Sequence, residues 1–254
     1  MKVVILAGGL GTRLSEYTNV IPKPMVPVGD KPLIWHIMSR FAKYGHTEFV
    51  IALGYRGEII KQYFLNYRTL NSNFTLDMSD GKVTIHDKEV PDWTVTLIDT
   101  GQTTQTGGRL RRLKEYLGNQ PFMLTYGDGV ADVDIDALIQ FHEKQSRLVT
   151  VTAVHPGARF GELQIDKEIV TNFAEKPQIQ QGWINGGFFV MQPEFIDYIE
   201  NDATILEREP LESIAHIGDL AAYSHEGFWH CVDTKRDLEV LEKMWTEEKA
   251  VWLL

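Results

Sequence analysis

The chain of 254 residues carries 25 Lys and Arg against 35 Asp and Glu, a formal charge of −10, and 43% of its residues are hydrophobic. These fractions are those of an ordinary folded protein and exclude a disordered or fibrous chain. A net acidic chain is a poor partner for nucleic acids and anionic membranes, since both bind basic surface. No apolar run reaches the roughly 18 residues of a membrane span. Small phosphorylated ligands stay open, because a few basic side chains can form a local positive pocket.

The cysteine and histidine content indicates neither a disulfide framework nor a zinc site. Cys231 is the only cysteine, which fits a reducing compartment, so we expect a cytoplasmic protein. The spacing of His225, His230 and Cys231 matches no zinc-ligand pattern.

Short apolar runs alternate with segments of helical spacing through the first half of the chain. Strands are predicted at 2–7, 49–53, 122–126 and 148–154, with helices at 33–41, 59–64, 110–117 and 134–145. Repeated strand–helix–strand units predict an α/β fold, an open, twisted, Rossmann-like sheet, mostly parallel but mixed, with helices on both faces. A TIM barrel needs eight regular strand–helix pairs, which this pattern does not supply.

Residues 69–99 interrupt the alternation and predict a small antiparallel insertion. Its short, half-exposed strands are expected at 74–76, 83–86 and 94–98, separated by turns. The second half is more mixed, with strands predicted at 161–166, 169–174 and 187–191 and helices at 194–200, 211–216 and 236–247. We therefore expect a single domain over residues 1–254 with two lobes, about 1–130 and about 131–254.

A glycine-rich loop at residues 6–14, Leu-Ala-Gly-Gly-Leu-Gly-Thr-Arg-Leu, directly follows the first predicted strand. Gly8, Gly9 and Gly11 permit positive φ angles and a close backbone approach to a ligand. Successive amides form an anion-binding concavity, and Arg13 adds a guanidinium suited to phosphate oxygens. The loop lacks both the Gly-Lys-Ser/Thr ending of a P-loop and the third glycine of a dinucleotide fingerprint. On these letters alone, a simple tight turn is the alternative.

Lys23 lies between Pro22 and Pro24, in a segment that continues through Pro27 and Pro32. Flanking prolines restrict the backbone, so the ammonium group is carried on a stiff support. Taken alone, a lysine in this setting is most often a solvated loop residue.

Together the glycine loop and the lysine–proline segment resemble the signature of the sugar-nucleotide pyrophosphorylases, nucleotidyltransferases that act on sugar 1-phosphates. The resemblance continues in family order through 54–55, 106–109, 126–129, 173–177, 184–189 and 229–233. The segments at 126–132, 184–190 and 227–229 are most similar to members that use CTP and glucose 1-phosphate. The resemblance thus implies CTP + glucose 1-phosphate → CDP-glucose + pyrophosphate. Thymidylyl-, uridylyl- and guanylyltransferases share the first two motifs, and a non-catalytic sugar-nucleotide-binding protein of the same fold is a further alternative.

The implied chemistry requires positioning more than proton transfer. A sugar-phosphate oxygen is already anionic at neutral pH, so the difficulty lies in holding two polyanions in line at the α-phosphorus. By resemblance, Arg13 and Lys23 are expected to act on the triphosphate and the developing pyrophosphate. The implied nucleotide-binding residues are Leu6, Ala7, Gly8, Gly9, Leu10, Gly11, Thr12, Arg13, Lys23, Thr104, Arg109 and Gly127. Arg109 has an alternative as part of a basic helix start, with Arg111 and Arg112.

The resemblance also implies a metal site and a sugar site. Asp128 and Asp233 are the expected Mg²⁺ carboxylates, and Mg²⁺ commonly takes one or two carboxylates together with substrate phosphates. A helix N-cap is the alternative for Asp233. Asp132 is a rival metal ligand, but we rather expect Asp132 or Asp134 to cap the helix that follows them. The implied sugar-binding residues, in the lobe at about 131–254 and on the adjoining strand, are Tyr126, Glu175, Lys176, Asn185 and Gly186. A homo-oligomer, with a hexamer as one form, is also implied.

Overall fold

The computed structural model describes residues 1–9, 11, 14, 20–86, 90–156 and 182–254, together with the backbone of 162–166 and 169–174. Helices lie at α1 (Leu33–Lys43), α2 (Gly57–Leu70), α3 (Thr106–Arg112), α4 (Lys114–Leu117), α5 (Ile135–Gln145), α6 (Glu209–His216) and α7 (Lys235–Thr246). Single 3₁₀ turns lie at Lys23–Met25, Pro193–Tyr198 and Val251–Leu253. In the described part of the chain, no helix is long and apolar enough to cross a membrane.

Strands of the first half are β1 (Val3–Ala7), β2 (Pro27–Val28), β3 (Lys31–Pro32), β4 (Glu48–Leu53), β5 (Phe74–Leu76), β6 (Val83–Ile85), β7 (Thr94–Asp99), β8 (Phe122–Tyr126) and β9 (Gly129–Ala131). Those of the second half are β10 (Val149–Val154), β11 (Glu162–Asp166), β12 (Ile169–Ala174), β13 (Ile184–Asn185), β14 (Phe189–Met191), β15 (Leu220–His225) and β16 (Trp229–Cys231).

The central sheet is mixed, as the sequence predicts. β7, β4, β1 and β8 are parallel neighbours in that order. β14 pairs antiparallel with β8 and β10, and β10 also pairs with β13 and β15. The chain leaves β1 for β4 on one side, while β8 lies on the other, so a crevice opens where β1 and β8 end. Ligands bind at such switch points in open α/β sheets.

Alternation along β1 builds a core on each face of the sheet. Every residue of β1 is buried, as expected of a parallel strand covered on both faces. Val3, Ile5 and Ala7 pack in a layer with α1, whereas Val4 and Leu6 pack in the layer that contains Leu110, Leu113 and Leu117. Gly45 ends α1 with a φ of +80°, a conformation that favours glycine. The central strand β1 is thus held in place by packing on both faces of the sheet.

The predicted three-stranded insertion is wrong in its third strand. β5 and β6 form the expected antiparallel hairpin, but Thr94–Asp99 pairs in parallel with β4 in the central sheet. Trp93, Val95 and Leu97 pack against the α1 side of the core. As the last strand of the sheet, β7 is only partly buried, which produces the same half-exposed pattern as a surface hairpin.

Other boundaries shift for local reasons. The helix predicted at 110–117 is two short helices, α3 and α4, and the one predicted at 194–200 is a 3₁₀ turn. β15 and the pairing of β9 with β16 are not predicted from the sequence. That pairing is antiparallel and sets Cys231 opposite Gly129. It brings the end of the chain back to the carboxyl end of β8.

Candidate active site

The cleft at the ends of β1 and β8 contains the described residues that are predicted to bind the nucleotide. It is lined by Leu6, Ala7, Gly8, Gly9, Gly11, Lys23, Pro24, Thr104, Gln105, Thr106, Arg109, Tyr126, Gly127 and Asp128. Gly127 packs tightly there, because a Cβ would lie 2.8 Å from Cγ of Pro24 and 3.1 Å from the carbonyl oxygen of Leu6. The glycine therefore lets the lysine–proline segment close against the end of β8.

Lys23 is held between the two carboxylates predicted to bind metal. Its Nζ donates to Oδ2 of Asp128 at 2.8 Å and to Oδ1 of Asp233 at 2.7 Å. The lysine side chain is 12% exposed. Burial alone would lower the pKa of Lys23, but the charge of Asp128 and the hydrogen bonds to both carboxylates outweigh it and raise the pKa. The ammonium group stays charged at neutral pH.

The pairing of β9 with β16 explains how Asp128 and Asp233 meet. Asp128 immediately precedes β9 and Asp233 lies two residues beyond β16, so the antiparallel register brings them to the same place. Val232 N–H donates to the carbonyl of Asp128 at 2.9 Å, which fixes this approach. The helix-capping alternative for Asp233 is wrong, because Thr234 caps α7 and forms a capping box with Asp237. Asp134, as expected, caps α5.

The two carboxylates fit a hard divalent cation. Oxygens of Asp128 and Asp233 and Sγ of Cys231 lie within 4.8 Å of one another, and a cation, the ammonium of Lys23, already bridges the carboxylates. Burial, and then the charge of Asp128, raises the pKa of the Cys231 thiol, so it stays protonated. A neutral thiol is a poor ligand for Mg²⁺, which prefers oxygen. The donor set is thus two carboxylates.

Arg109 supports the cleft wall through backbone carbonyls. The guanidinium donates to the carbonyl oxygens of Leu53 at 3.0 Å, Gly101 at 2.8 Å and Gly8 at 3.0 Å. A Cβ on Gly8 would lie 2.2 Å from Nη1 of Arg109, so the first glycine of the loop is needed for this packing. Burial lowers the pKa of Arg109, yet a guanidinium keeps its charge in proteins. Arg109 therefore joins β4, the glycine loop and α3.

The glycines of α3 serve packing rather than ligand approach. The N–H groups of Gly107 and Gly108 donate to the carbonyl of Thr204 at 3.0 and 3.2 Å. A Cβ on Gly108 would lie 2.5 Å from the backbone of Asp202. The first amides of α3 are thus occupied by the loop at 201–206.

Tyr126 and Asn185, two of the residues predicted to bind the sugar, are in contact. Asn185 Nδ2 donates to Oη of Tyr126 at 3.0 Å, and Asn185 Oδ1 accepts from the N–H of Gly187 at 2.8 Å. Gly186 is buried and uses both backbone groups, donating to the carbonyl of Thr152 and accepting from Trp229 Nε1 at 2.8 Å. Gly186 therefore positions Asn185 within a tight turn.

The chain is similar to known proteins over almost its whole length. The model of the nucleotidyl transferase family matches residues 2–238. The chain belongs to the nucleotidyl transferase family. It is 51% identical over 253 residues to the glucose-1-phosphate cytidylyltransferases of Salmonella typhi and Salmonella typhimurium, covering 99% of this chain and 98% of each relative. The crystal structure of HddC from Yersinia pseudotuberculosis matches with a TM-score of 0.71 at 23% identity, over 96% of this chain and 99% of that chain, and shows a common fold. The predicted family and fold class are confirmed.

Some predicted residues of this nucleotidyl transferase lie outside the described part of the chain. They are Leu10, Thr12, Arg13, Glu175 and Lys176. Their roles stay predictions. Among the described residues, Pro24, Gln105 and Thr106 line the cleft but were not predicted as site residues. Glu207 was missed as well, although it accepts hydrogen bonds from Tyr126 and Thr106. No motif marks it, because it precedes α6 in a loop far from both partners in sequence.

Proposed function

We propose that this nucleotidyl transferase is a glucose-1-phosphate cytidylyltransferase that converts CTP and glucose 1-phosphate to CDP-glucose and pyrophosphate. The observation that carries the proposal is the 51% identity, over 99% of the chain, to two glucose-1-phosphate cytidylyltransferases. The cleft supports it with a glycine-rich loop, a charged lysine and paired carboxylates at the switch point of the sheet.

The nucleotide side rests on charge and on exposed backbone. The amides of the loop at 8–11 hold triphosphate oxygens, while Lys23 moves from its carboxylate partners to the phosphates as they enter. Asp128 and Asp233 would hold Mg²⁺. The bound ion would neutralise the charge of the phosphates and orient their oxygens. Arg109 donates to the carbonyl of Gly8 and so holds the start of the glycine loop in place. By resemblance, Arg13 adds a second cation on the leaving pyrophosphate.

The sugar side uses neutral polar groups, as hydroxyl recognition requires. Asn185 and Tyr126 bind sugar hydroxyls, and by resemblance Glu175 does the same while Lys176 binds the sugar phosphate. The phosphate oxygen of glucose 1-phosphate attacks the α-phosphorus without a general base, because it is already anionic. Catalysis is then positioning plus charge neutralisation.

A panel of nucleotides tests this proposal. Pyrophosphate release is measured with CTP, UTP, dTTP and GTP, each against glucose 1-phosphate and Mg²⁺. We expect the highest kcat/KM with CTP. A preference for another nucleotide would overturn the cytidine assignment, and no release with any sugar 1-phosphate would overturn the enzyme.

We also propose a homo-oligomer, with a hexamer as the form suggested by the family resemblance. Leu65 and Leu70 on α2 are 79% and 75% exposed, and Met78 in the hairpin loop is 85% exposed. Exposed apolar side chains of this kind support an interaction surface where they are contiguous. The unpaired edge of β7 among the described strands adds to it. Sedimentation velocity is expected to show an assembly larger than the 29.0 kDa chain, which Leu65→Glu weakens. A monomer at micromolar concentration would contradict this proposal.

A further inference from the structure

Glu207 lies next to the cleft and contacts two of its lining residues. Its Oε1 accepts a hydrogen bond from Oη of Tyr126 at 2.7 Å, and its Oε2 accepts one from Oγ1 of Thr106 at 2.7 Å. Tyr126 and Thr106 line the cleft, whereas Glu207 itself is half-buried and lies outside that lining set. A single carboxylate therefore holds two cleft residues from behind.

The ionised carboxylate sets the direction of a hydrogen-bond chain. A carboxylate only accepts, so the Tyr126 hydroxyl donates to Glu207, and its oxygen is left to accept from Asn185 Nδ2 at 3.0 Å. Burial, followed by the charge of Glu207, raises the pKa of Tyr126, so the phenol keeps the proton it donates. The direction of the chain is thus fixed from Glu207 outward.

The orientation of the Asn185 amide follows from this chain. Its oxygen accepts from the Gly187 N–H at 2.8 Å, and one of its two N–H bonds is used on Tyr126. Among the described contacts, the second N–H has no partner, and the side chain is exposed. That N–H is a donor of fixed direction at the sugar side of the cleft.

Glu207 is held in place independently of Tyr126. The loop before it accepts amide hydrogens of α3 at the carbonyls of Asp202 and Thr204, and Arg112 forks onto the Asp202 carboxylate at 3.0 and 2.6 Å. Oγ1 of Thr106 also accepts from the N–H of Leu206 at 2.9 Å. The carboxylate is therefore preorganised, which is what a group that orients others requires.

We propose that Glu207 is a positioning residue for the sugar phosphate. By accepting from Tyr126, it fixes the Asn185 amide so that its second N–H meets a sugar hydroxyl oxygen. It contributes in this way to the selection of the sugar 1-phosphate rather than of the nucleotide. This inference rests on the proposed function of the same cleft.

Glu207→Gln tests the inference, because glutamine keeps the shape but offers one accepting oxygen where the carboxylate offers two, so its amide N–H group must face either Tyr126 or Thr106. We expect the KM for glucose 1-phosphate to rise about tenfold, the loss expected when a polar substrate group meets a mispaired donor. The KM for CTP should stay within about twofold. Tyr126→Phe should raise the same KM, and adding Glu207→Gln to it should bring little further change, since both act through one contact. Glu209→Gln, an exposed acid in the first turn of α6, is the matched control.

The outcomes separate this inference from the proposed function. An active wild type whose KM for glucose 1-phosphate is unchanged by Glu207→Gln would overturn the inference alone, as would equal increases in both KM values or additive effects with Tyr126→Phe. A wild type that uses a different sugar 1-phosphate or nucleotide would overturn the proposed function. The same variants measured on the accepted sugar phosphate would then still support or overturn the role of Glu207.

Discussion

Nζ of Lys23 lies 2.8 Å from Oδ2 of Asp128, so the cation proposed to bind the phosphates is paired with a carboxylate proposed to bind Mg²⁺. A second carboxylate, Asp233, lies 2.7 Å away on the other side. The lysine therefore occupies the position of a bridging cation. Both carboxylates would hold a divalent cation only if Lys23 left this position, and incoming phosphates would give its ammonium group a new partner.

Lys23→Met is expected to separate these two roles. Without the competing ammonium, the carboxylates should bind Mn²⁺ about tenfold more tightly in the absence of nucleotide, a gain of about 1.4 kcal/mol. Turnover should nevertheless fall roughly a hundredfold or more, because a preorganised charge at the phosphates is lost. Free Mn²⁺ measured by electron paramagnetic resonance gives the first quantity. Exposed Lys61→Met is the control, and unchanged Mn²⁺ affinity in Lys23→Met would show that the ammonium does not compete.

Asp128→Asn and Asp233→Asn are each expected to lower metal affinity and turnover while leaving the fold intact. Each variant removes one proposed ligand but leaves Lys23 one carboxylate partner, so no buried charge is stranded. We expect turnover to fall roughly a hundredfold at fixed Mg²⁺. Metal titration measures the affinity, steady-state kinetics measure the turnover, and circular dichroism checks the fold. Exposed Asp136→Asn is the comparison. Near-normal activity in either variant would remove that residue from the metal site.

Arg109→Met is expected to destabilise the protein because it removes a charged hydrogen-bond donor that three backbone carbonyl groups share. Leu53, Gly8 and Gly101 each lose a charged donor at 3.0 Å or less. The cost should be about 2–4 kcal/mol of unfolding free energy. Urea unfolding measures it, and Arg111→Met, at an exposed position of the same helix, should change it by less than about 0.5 kcal/mol. Equal effects of the two substitutions would mean that the carbonyl contacts contribute little.

The buried His36 predicts a loss of stability in mild acid. Its Nε2 contacts the carbonyl of Val28 at 2.9 Å and its Nδ1 accepts from Trp252 Nε1 at 3.2 Å, an arrangement that satisfies the neutral ring. Burial lowers the pKa of His36 below its ordinary value of 6.5. The contribution of neutral His36 to the free energy of unfolding is thus fully present above pH 6.5. It is lost as the pH falls below 6.5, with a slope of up to about 1.4 kcal/mol per pH unit.

Urea unfolding between pH 7.5 and pH 5 measures this slope. His36→Gln should flatten it, although burial also lowers the pKa of His142 and His230, so part of the slope should remain. Exposed His216→Gln is the control. An unchanged slope in His36→Gln would contradict the assignment.

Local patterns predict the parts of the fold that depend on local causes. β1 is a run buried on both faces and α1 has a clear apolar stripe, so both lie where the sequence places them. The edge strand β7 was assigned to the insertion because partial burial looks the same in a surface hairpin and at the edge of a parallel sheet. The periodicity of apolar residues indicates which side chains are buried, but it does not indicate which strand pairs with β7.

In the candidate site too, the sequence predicts individual residues, whereas their contacts depend on the tertiary structure. Lys23, Asp128 and Asp233 are predicted from three separate motifs, but only the register of β9 with β16 shows that they touch. Glu207 could not be found, because its function depends on two hydroxyl donors brought to it by other elements. Arg109 could be placed near the cleft from its motif, whereas its contacts with carbonyl groups depend on the packing of α3 against β4.

Phosphorus NMR of the protein with CTP, glucose 1-phosphate and Mg²⁺ tests the proposed reaction most directly. We predict that the resonances of both substrates decline together and that pyrophosphate and the diphosphate of CDP-glucose appear in equal amounts. Orthophosphate with CDP, or unchanged substrates under conditions where the protein is folded and metal-loaded, would contradict cytidylyl transfer to the sugar phosphate.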